Sequence, residues 1–496
     1  MEDNERYKII NGDSLKILDT IEPNSIDAII TDPPYELGFM GKKWDATGIA
    51  YNVELWKKAF NVLKSGGFLL AFGGSRTFHR IACAIEDAGF EIRDTIMWLY
   101  GSGFPKSFDL GKAVESKILN GSANTQLFRK LDGELIERGN YGYAKIANEQ
   151  GARPADYNEI DDKRIGKINY QTEEGKKWDG WGTALKPAYE PIIVARKPVE
   201  ESVVNNILKY GVGGINIEEC RVGNEIIKGG SMPKMNSKSD GINIYNFGKK
   251  NAERIKREDN QGRFPANVIL TYDDSDAEEV CSGMPDTKSA YNEDGKHETN
   301  IHRQNADILK YGYSQRIDSG YNDEGSAARY FYCAKASKKD RDAGLTQFEE
   351  ISTGELQGGR KEGSAGSMML NADGTTRVNP FAGGGGGVKK NFHPTVKPVE
   401  LMQYLVRLVV PAGGAILDIF NGSGSTGKAV AFENRERNKD YKYIGIELDA
   451  QYCEISRYRI DYALHKFEYD MIEDIKKEEE KTGQLSLFDF NGENDE

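Results

Sequence analysis

At 496 residues the chain exceeds one typical domain, so two or three domains with ample core are expected. Its 38% hydrophobic and 29% charged content describes a somewhat polar, loop-rich protein, and a formal net charge of −12 argues weakly against nucleic acid as a partner. No apolar run approaches the roughly 18 residues of a membrane span, and the start, MEDNERYKII, lacks a signal peptide's basic and apolar regions, so a cytoplasmic protein is expected.

From Tyr7 the pattern reads as strand (YKII), an NGDSL turn, a short helix, and a β-branched strand SIDAIIT that stops at Asp32 in TDPPY. YNVELWKKAFNVLKSGG carries apolar residues at helical spacing and a glycine stop after Lys64. GFLLAFGG then reads as a buried strand, SRTFHRIACAIEDAGF as a helix and EIRDTIMWLY as a strand. Strands and helices alternating at this length predict an α/β layer with a mostly parallel sheet.

The rhythm breaks at Gly101. Residues 101–185 are polar and aperiodic, YEPIIVARKP reads as one more sheet strand, and 200–390 mixes short pieces such as RFPANVILTY and ARYFYCAKA with hydrophilic stretches. Residues 352–390 form a glycine-rich segment expected to be mobile. From Pro398 the rhythm returns: helix VELMQYLVRLVV, strand GAILDIF, loop NGSGSTG, helix KAVAFENRER, strand YKYIGIEL and helix QYCEISRYRIDYAL. An α/β domain is therefore split into two pieces with a long interval between. That interval, 111–400, holds 42 Lys and Arg against 43 Asp and Glu, which leaves room for a basic face.

Five cysteines (Cys83, Cys220, Cys281, Cys333, Cys453) are far apart and never in a CxxC pair, and the five histidines do not cluster. Free thiols are expected and a metal centre is not.

Chemistry concentrates at two strand ends. In GAILDIFNGSGSTGKA, glycines at 422, 424 and 427 let the backbone turn sharply and approach a ligand, with a helix N-terminus behind them. Glu447, at the tip of the next strand and about 20 residues on, is placed to grip ribose hydroxyls. The spacing is not that of a Walker A loop, so phosphate need not be the ligand. At the other end, proline neither continues a ladder nor donates an N–H. Asp32 and the carbonyls beside it are therefore acceptors only, suited to a group with two N–H donors such as the exocyclic amine of a nucleobase. Tyr35 supplies a flat face for that base to stack on.

DPPY together with DIFNGSGSTG resembles the S-adenosylmethionine-dependent amino-DNA methyltransferases, which methylate the exocyclic amine of adenine or cytosine. DPPY first and the glycine loop near the C-terminus is similar to the circularly permuted beta class, and unlike protein-glutamine methyltransferases, whose glycine loop comes first. The resemblance covers about 1–110, 186–199 and 391–465. It implies a Rossmann-like methyltransferase domain, permuted and split by a large mixed target-recognition insertion. The implied divisions are 1–110 (catalytic, first part), 111–185 (insertion), 186–199 (a catalytic-domain strand), 200–390 (target recognition), 391–466 (cofactor binding) and 467–496 (a disordered acidic tail).

Carried over by position, the resemblance puts Asp418, Phe420, Gly422 and Gly424 at the methionine end of S-adenosylmethionine, Glu447 on its ribose and Asp13 near its adenine. HPTVKP resembles the segment that closes over the cofactor, with Thr395, Lys397 and Pro398 as contacts. In the catalytic motif Asp32, Pro33, Pro34 and Tyr35, Asp32 and the carbonyl of Pro33 would bind the target amine and Tyr35 would stack on the extruded base. DPPY is commoner in adenine enzymes and SPPY in cytosine enzymes, which favours N6 of adenine in duplex DNA over N4 of cytosine. A carbon-methylating route through cysteine lacks a Pro-Cys dipeptide. The rivals are a non-catalytic nucleic-acid-binding protein that keeps the fold and an RNA or protein methyltransferase. In the tail, QLSLF matches the pentapeptide that bacterial replication proteins use to dock on the sliding clamp, with Gln484, Leu485, Leu487 and Phe488 as the contacts.

Overall fold

A computed structural model describes residues 6–37, 46–100, 107–121, 123, 170–227, 259–273, 331–336, 338–352 and 388–466, with short strand pieces at 231–233, 254–256, 286–288, 324–326, 368–370 and 376–378. Much of the expected recognition region 200–390, including most of its glycine-rich segment, and the tail with Gln484, Leu485, Leu487 and Phe488 lie outside the described residues.

Strand β1 (Tyr7–Asn11) leads through Asp13, which caps α1 (Ser14–Ile17) by accepting from the Leu15 N–H at 3.0 Å. Strand β2 (Ile26–Thr31) follows, and all six of its residues are buried. Asn52 caps α2 (Val53–Val62), which buries Leu55, Trp56, Ala59 and Val62. That helix ends two residues before the expected Lys64. The Lys197 ammonium donates to the Phe60 and Leu63 carbonyls at 2.8 and 2.7 Å and closes the helix there. The next strand, β3 (Leu63–Phe72), then starts at once, and its pairing with β2 shifts register across Gly66, whose φ is +82°. Helix α3 (Phe78–Asp87) and β4 (Glu91–Tyr100) complete this part.

Residues 102–188 form a compact unit of their own. Within it, α4 (Leu110–Asn120) packs on α5 (Glu173–Lys177), and buried Glu115 accepts from the backbone N–H of Gln171 at 2.5 Å. The remaining unit, 1–101 with 189–496, carries the central sheet. It continues with β5 (Tyr189–Arg196), α6 (Val203–Tyr210), β6 (Val268–Asp273), β7 (Tyr332–Ala336) and α7 (Lys338–Asp342). After these come α8 (Val399–Val409), β8 (Ala415–Asp418), α9 (Ser425–Arg437), β9 (Lys442–Glu447) and α10 (Ala450–Leu464).

Nine strands make one sheet in the order β1-β9-β8-β2-β3-β5-β4-β6-β7. Every neighbouring pair is parallel except the two made by β5, which runs against β3 and β4. The first strand pairs with the last, Tyr7 opposite Tyr443 and Asn11 opposite Glu447, so a sheet begun at one end of the chain is completed at the other. Its two faces bury two cores. Ile30, Leu70 and Phe72 pack with α8, α9 and α10 on one side. Ile29, Leu69 and Ala71 pack with α2 and α3 on the other, as the period-2 alternation of strands dictates.

Residues 268–273 and 332–336, which lie within the expected recognition region, extend the central sheet beyond β4. Ile269 and Leu270 are buried, the Trp98 indole donates to the Thr271 hydroxyl at 2.5 Å, and the Tyr332 ring stacks 4.0 Å from that of Tyr404 on α8.

Candidate active site

Strands β8 and β2 are parallel neighbours, with Leu417 opposite Ile29. From β8 the chain runs on to β9 on one side, and from β2 to β3 on the other. This is the point in an open α/β sheet where a crevice opens at the carboxyl ends of the strands. TDPPY and DIFNGSG therefore meet edge to edge.

Asp418 ties the two together. It is buried at the end of β8, and its carboxylate accepts from the hydroxyls of Thr31 and Thr426, both at 2.7 Å. The Phe420 N–H donates to both Asp418 Oδ1 and Thr31 Oγ1, at 3.1 Å each. Burial pushes the Asp418 carboxyl up to about 6, against the pull of those donors. In the loop that follows, Gly422 (φ +52°) and Gly424 (φ +76°) occupy the left-handed region. A Cβ on Gly422 would lie 2.8 Å from Nε2 of His393, and one on Gly424 would lie 2.2 Å from the Ser456 hydroxyl of α10. HPTVKP thus covers the glycine loop through His393. That imidazole is held neutral, near 3, by burial and by the charges of Lys397, Arg459 and Arg341.

Glu447 closes the other side of the loop. Its Oε2 accepts from the Gly422 N–H at 2.7 Å and its Oε1 from the Asp449 N–H at 2.9 Å. Burial raises its pKa. Asp13 stands at the neighbouring strand end, where the Gly12 N–H bonds the Glu447 carbonyl at 2.9 Å. Thr395 is exposed, its N–H directed to Nδ1 of His393 at 3.3 Å, and Pro398 precedes the first turn of α8.

The second cluster surrounds Asp32. Its Oδ2 accepts from the Lys397 ammonium at 2.5 Å, while its buried Oδ1 has no hydrogen-bond partner among the described residues. Pro33 and Pro34 follow without an N–H between them to supply one. Burial pushes the Asp32 carboxyl up, Lys397 opposes this, Glu190 adds to it, and the neighbouring Tyr35 hydroxyl pulls it down a little. Tyr35 donates its hydroxyl to Oε2 of Glu190 at 2.6 Å, and burial beside Asp32 and Glu190 keeps that phenol protonated. Lys397 is only 6% exposed and lies 3.6 Å from the same Glu190 oxygen. Its ammonium stands 5.3 Å from the Tyr35 ring centroid and 5.0 Å from that of Phe72. For Lys397 burial favours the neutral amine, but Asp32 and Glu190 outweigh it and raise its pKa.

Asp32, Tyr35 and Lys397 thus form one group, and Asp13, Phe420, Gly422, Gly424 and Glu447 a second, joined through Thr31 and Asp418. Lys397, expected among the cofactor contacts, has its ammonium on the DPPY carboxylate. Sequence reading did not single out Glu190. The signal for it is topological: β5 runs antiparallel, so its first residues lie where β3 and β4 end, with Glu190 opposite Trp98 and the Gly73 N–H on the Pro191 carbonyl at 2.9 Å. Among the described residues, no group of three or more His, Cys, Asp or Glu side chains is arranged to hold a metal ion.

A family model described as DNA methylase matches residues 26–457. The chain is 25% identical over 228 residues to the type II methyltransferase M2.LlaDCHI of Lactococcus lactis subsp. cremoris, covering 42% of this chain and 78% of that one. It is 35% identical over 94 residues to the DNA adenine methyltransferase YhdJ of Escherichia coli K12, covering 19% and 29%. Among solved structures, the M1.HpyAVI-SAM complex matches over 92% of this chain and 99% of that one at 12% identity, with a TM-score of 0.31, too loose a likeness to carry an argument.

Proposed function

The chain belongs to the N6/N4 DNA methylase family, the DNA amino-methyltransferases, and we propose that it transfers the methyl group of S-adenosylmethionine to N6 of an adenine turned out of duplex DNA. The observation that carries the reading is Oδ1 of Asp32, a buried acceptor with no donor, beside Tyr35 and one hydroxyl away from the glycine loop. A buried carboxylate oxygen left bare is costly. An amine N–H supplied by a substrate would satisfy it.

The donor set around the glycine loop fits the cofactor. Glu447 and Asp13 offer carboxylates at adjacent strand ends for ribose hydroxyls and an adenine amine. Asp418 shapes the loop of Phe420, Gly422 and Gly424 that would border the methionine part, with Thr395 and Pro398 in the segment next to His393. When bound, S-adenosylmethionine supplies an electrophilic methyl group on a sulfonium. This chain's residues do the rest by positioning and electrostatics. An exocyclic amine is a poor nucleophile because its lone pair is delocalised into the ring. Oδ1 of Asp32 and the Pro33 carbonyl, both accepting from it, favour a pyramidal nitrogen whose lone pair is free to attack. Tyr35 offers its face to the extruded base, and that stacking offsets part of the few kcal/mol needed to unstack it.

Adenine is favoured over cytosine by Asp at the head of DPPY and by a relative that carries adenine methyltransferase in its name. Nucleoside mass spectrometry of DNA treated with the protein tests this. N6-methyladenine is expected, and N4-methylcytosine alone would move the assignment to the cytosine enzyme. We also propose that residues 484–488 dock on the bacterial sliding clamp, bringing the enzyme to newly copied DNA.

A further inference from the structure

We propose that Lys397 and Glu190 are positioning residues for the target amine. Lys397 engages one oxygen of Asp32 so that only the other faces the amine, and Glu190 holds Lys397 and Tyr35 in place. The inference rests on the amino-methyltransferase reading above.

The geometry carries it. A carboxylate on a short side chain turns easily about its last bond, because that torsion is broad. Here Oδ2 is fixed on the Lys397 ammonium at 2.5 Å and Oδ1 is bare, so the acceptor has one direction. Glu190 reaches the same ammonium at 3.6 Å and takes the Tyr35 hydroxyl at 2.6 Å through one oxygen. One carboxylate thus fixes both the cation that orients the acceptor and the ring that would receive the base. The ammonium also lies within cation–π range of Tyr35 and Phe72, which holds the aromatic faces in register with it. Lys397 is deeply buried, and a buried ammonium persists only where partners compensate it.

Charge supports the same arrangement. Two carboxylates this close would repel without a cation between them. Asp32 and Tyr35 face the cluster from the end of β2, Asp418 from the end of β8, Glu190 from β5 and Tyr100 from β4. Lys397 and His393 face it from the segment before α8. The tyrosines and His393 stay neutral through the working range, Asp418, near 6, titrates within it, and among the charged groups the Asp32 carboxyl answers first to Lys397 and then to Glu190.

The test is the pH dependence of methyl transfer, with two substitutions of opposite expected sign. Transfer needs ionised Asp32, so activity falls as pH drops through its pKa and gives an acid limb. Lys397→Met removes the opposite charge and should move that limb upward by about one to three pH units. Glu190→Gln removes the like charge and should move it downward. Lys397→Arg keeps the charge and should leave the limb in place while lowering kcat. Cofactor affinity, measured by calorimetry, should be unchanged in Lys397→Met. Limbs that do not move, or that move together, overturn the inference, as does loss of cofactor binding in Lys397→Met. Titration of the Asp32 carboxyl by carbon-13 NMR, assigned with Asp32→Asn, reads the same opposed shifts without turnover. A protein that shows those shifts but methylates no DNA would refute the functional reading and leave the electrostatic arrangement standing. A variant that fails to fold is replaced by the Glu190→Gln arm, whose downward shift or lack of one decides alone.

Discussion

Replacing Thr31 by valine removes one hydroxyl at the junction between the two halves of the site. That hydroxyl is fully buried and donates to Asp418 at 2.7 Å. The Phe420 N–H it also accepts keeps a second acceptor in Asp418 Oδ1 at 3.1 Å, so the substitution orphans no backbone donor. The cost is therefore one hydrogen bond to Asp418, and its size depends on whether Asp418 is charged. A bond to a charged group contributes about 1.5–3 kcal/mol and a neutral one about 0.5–1.5 kcal/mol. Asp418 has a folded pKa near 6, raised by burial above its ordinary 3.8. A raised carboxyl binds its proton more tightly in the folded state, so stability is highest below the unfolded pKa and declines as pH climbs through the folded one. Loss of the Thr31 donor raises that pKa further and deepens the decline. Thr31→Val should accordingly cost about 1 kcal/mol at pH 5 and about 2–3 kcal/mol at pH 7.5. Denaturant titrations of parent and variant at both pH values measure it. An equal loss at the two pH values, or none at either, would refute the view that Asp418 is a charged tie at neutral pH.

Gly422→Ala forces a side chain into the left-handed region and against His393, and should weaken S-adenosylmethionine binding about tenfold or more by calorimetry. Tyr35→Ala should raise KM for duplex DNA more than Tyr35→Phe does, because stacking needs the ring; equal effects would assign the role to the hydroxyl on Glu190. A peptide of residues 481–490 should bind a bacterial sliding clamp with micromolar affinity, and Leu487→Ala with Phe488→Ala should abolish it; a parent peptide that shows no binding at high micromolar concentration ends that proposal.

The sheet was legible because its strands announce themselves. SIDAIIT and EIRDTIMWLY are β-branched or aromatic runs bounded by turn residues, and the helices between them keep a 3.6 period. The glycine loop and Asp32 were legible because few backbones need such residues at a strand end. NVILTY and YCAKA could not be assigned to the sheet from sequence, since a short apolar run says nothing about which edge it pairs with. Their place follows from long-range packing on Trp98 and Tyr404. The end of α2 was misplaced for a related reason: a lysine 133 residues beyond Lys64 caps it. Glu190 was hidden because an antiparallel strand inserted in a parallel sheet reverses which of its ends meets the site, and the Lys397–Asp32 pair because it joins residues 365 apart in the chain.

The central claim is that Asp32 accepts the target amine and has no part in holding the cofactor. The direct measurement is single-turnover methyl transfer by Asp32→Ala, with methylated bases counted by nucleoside mass spectrometry and S-adenosylmethionine affinity measured on the same sample by calorimetry. The account predicts cofactor affinity close to the parent's and transfer reduced about a hundred- to a thousandfold, roughly what removing one well-placed transition-state hydrogen-bond partner costs. Near-normal transfer by the variant would contradict it.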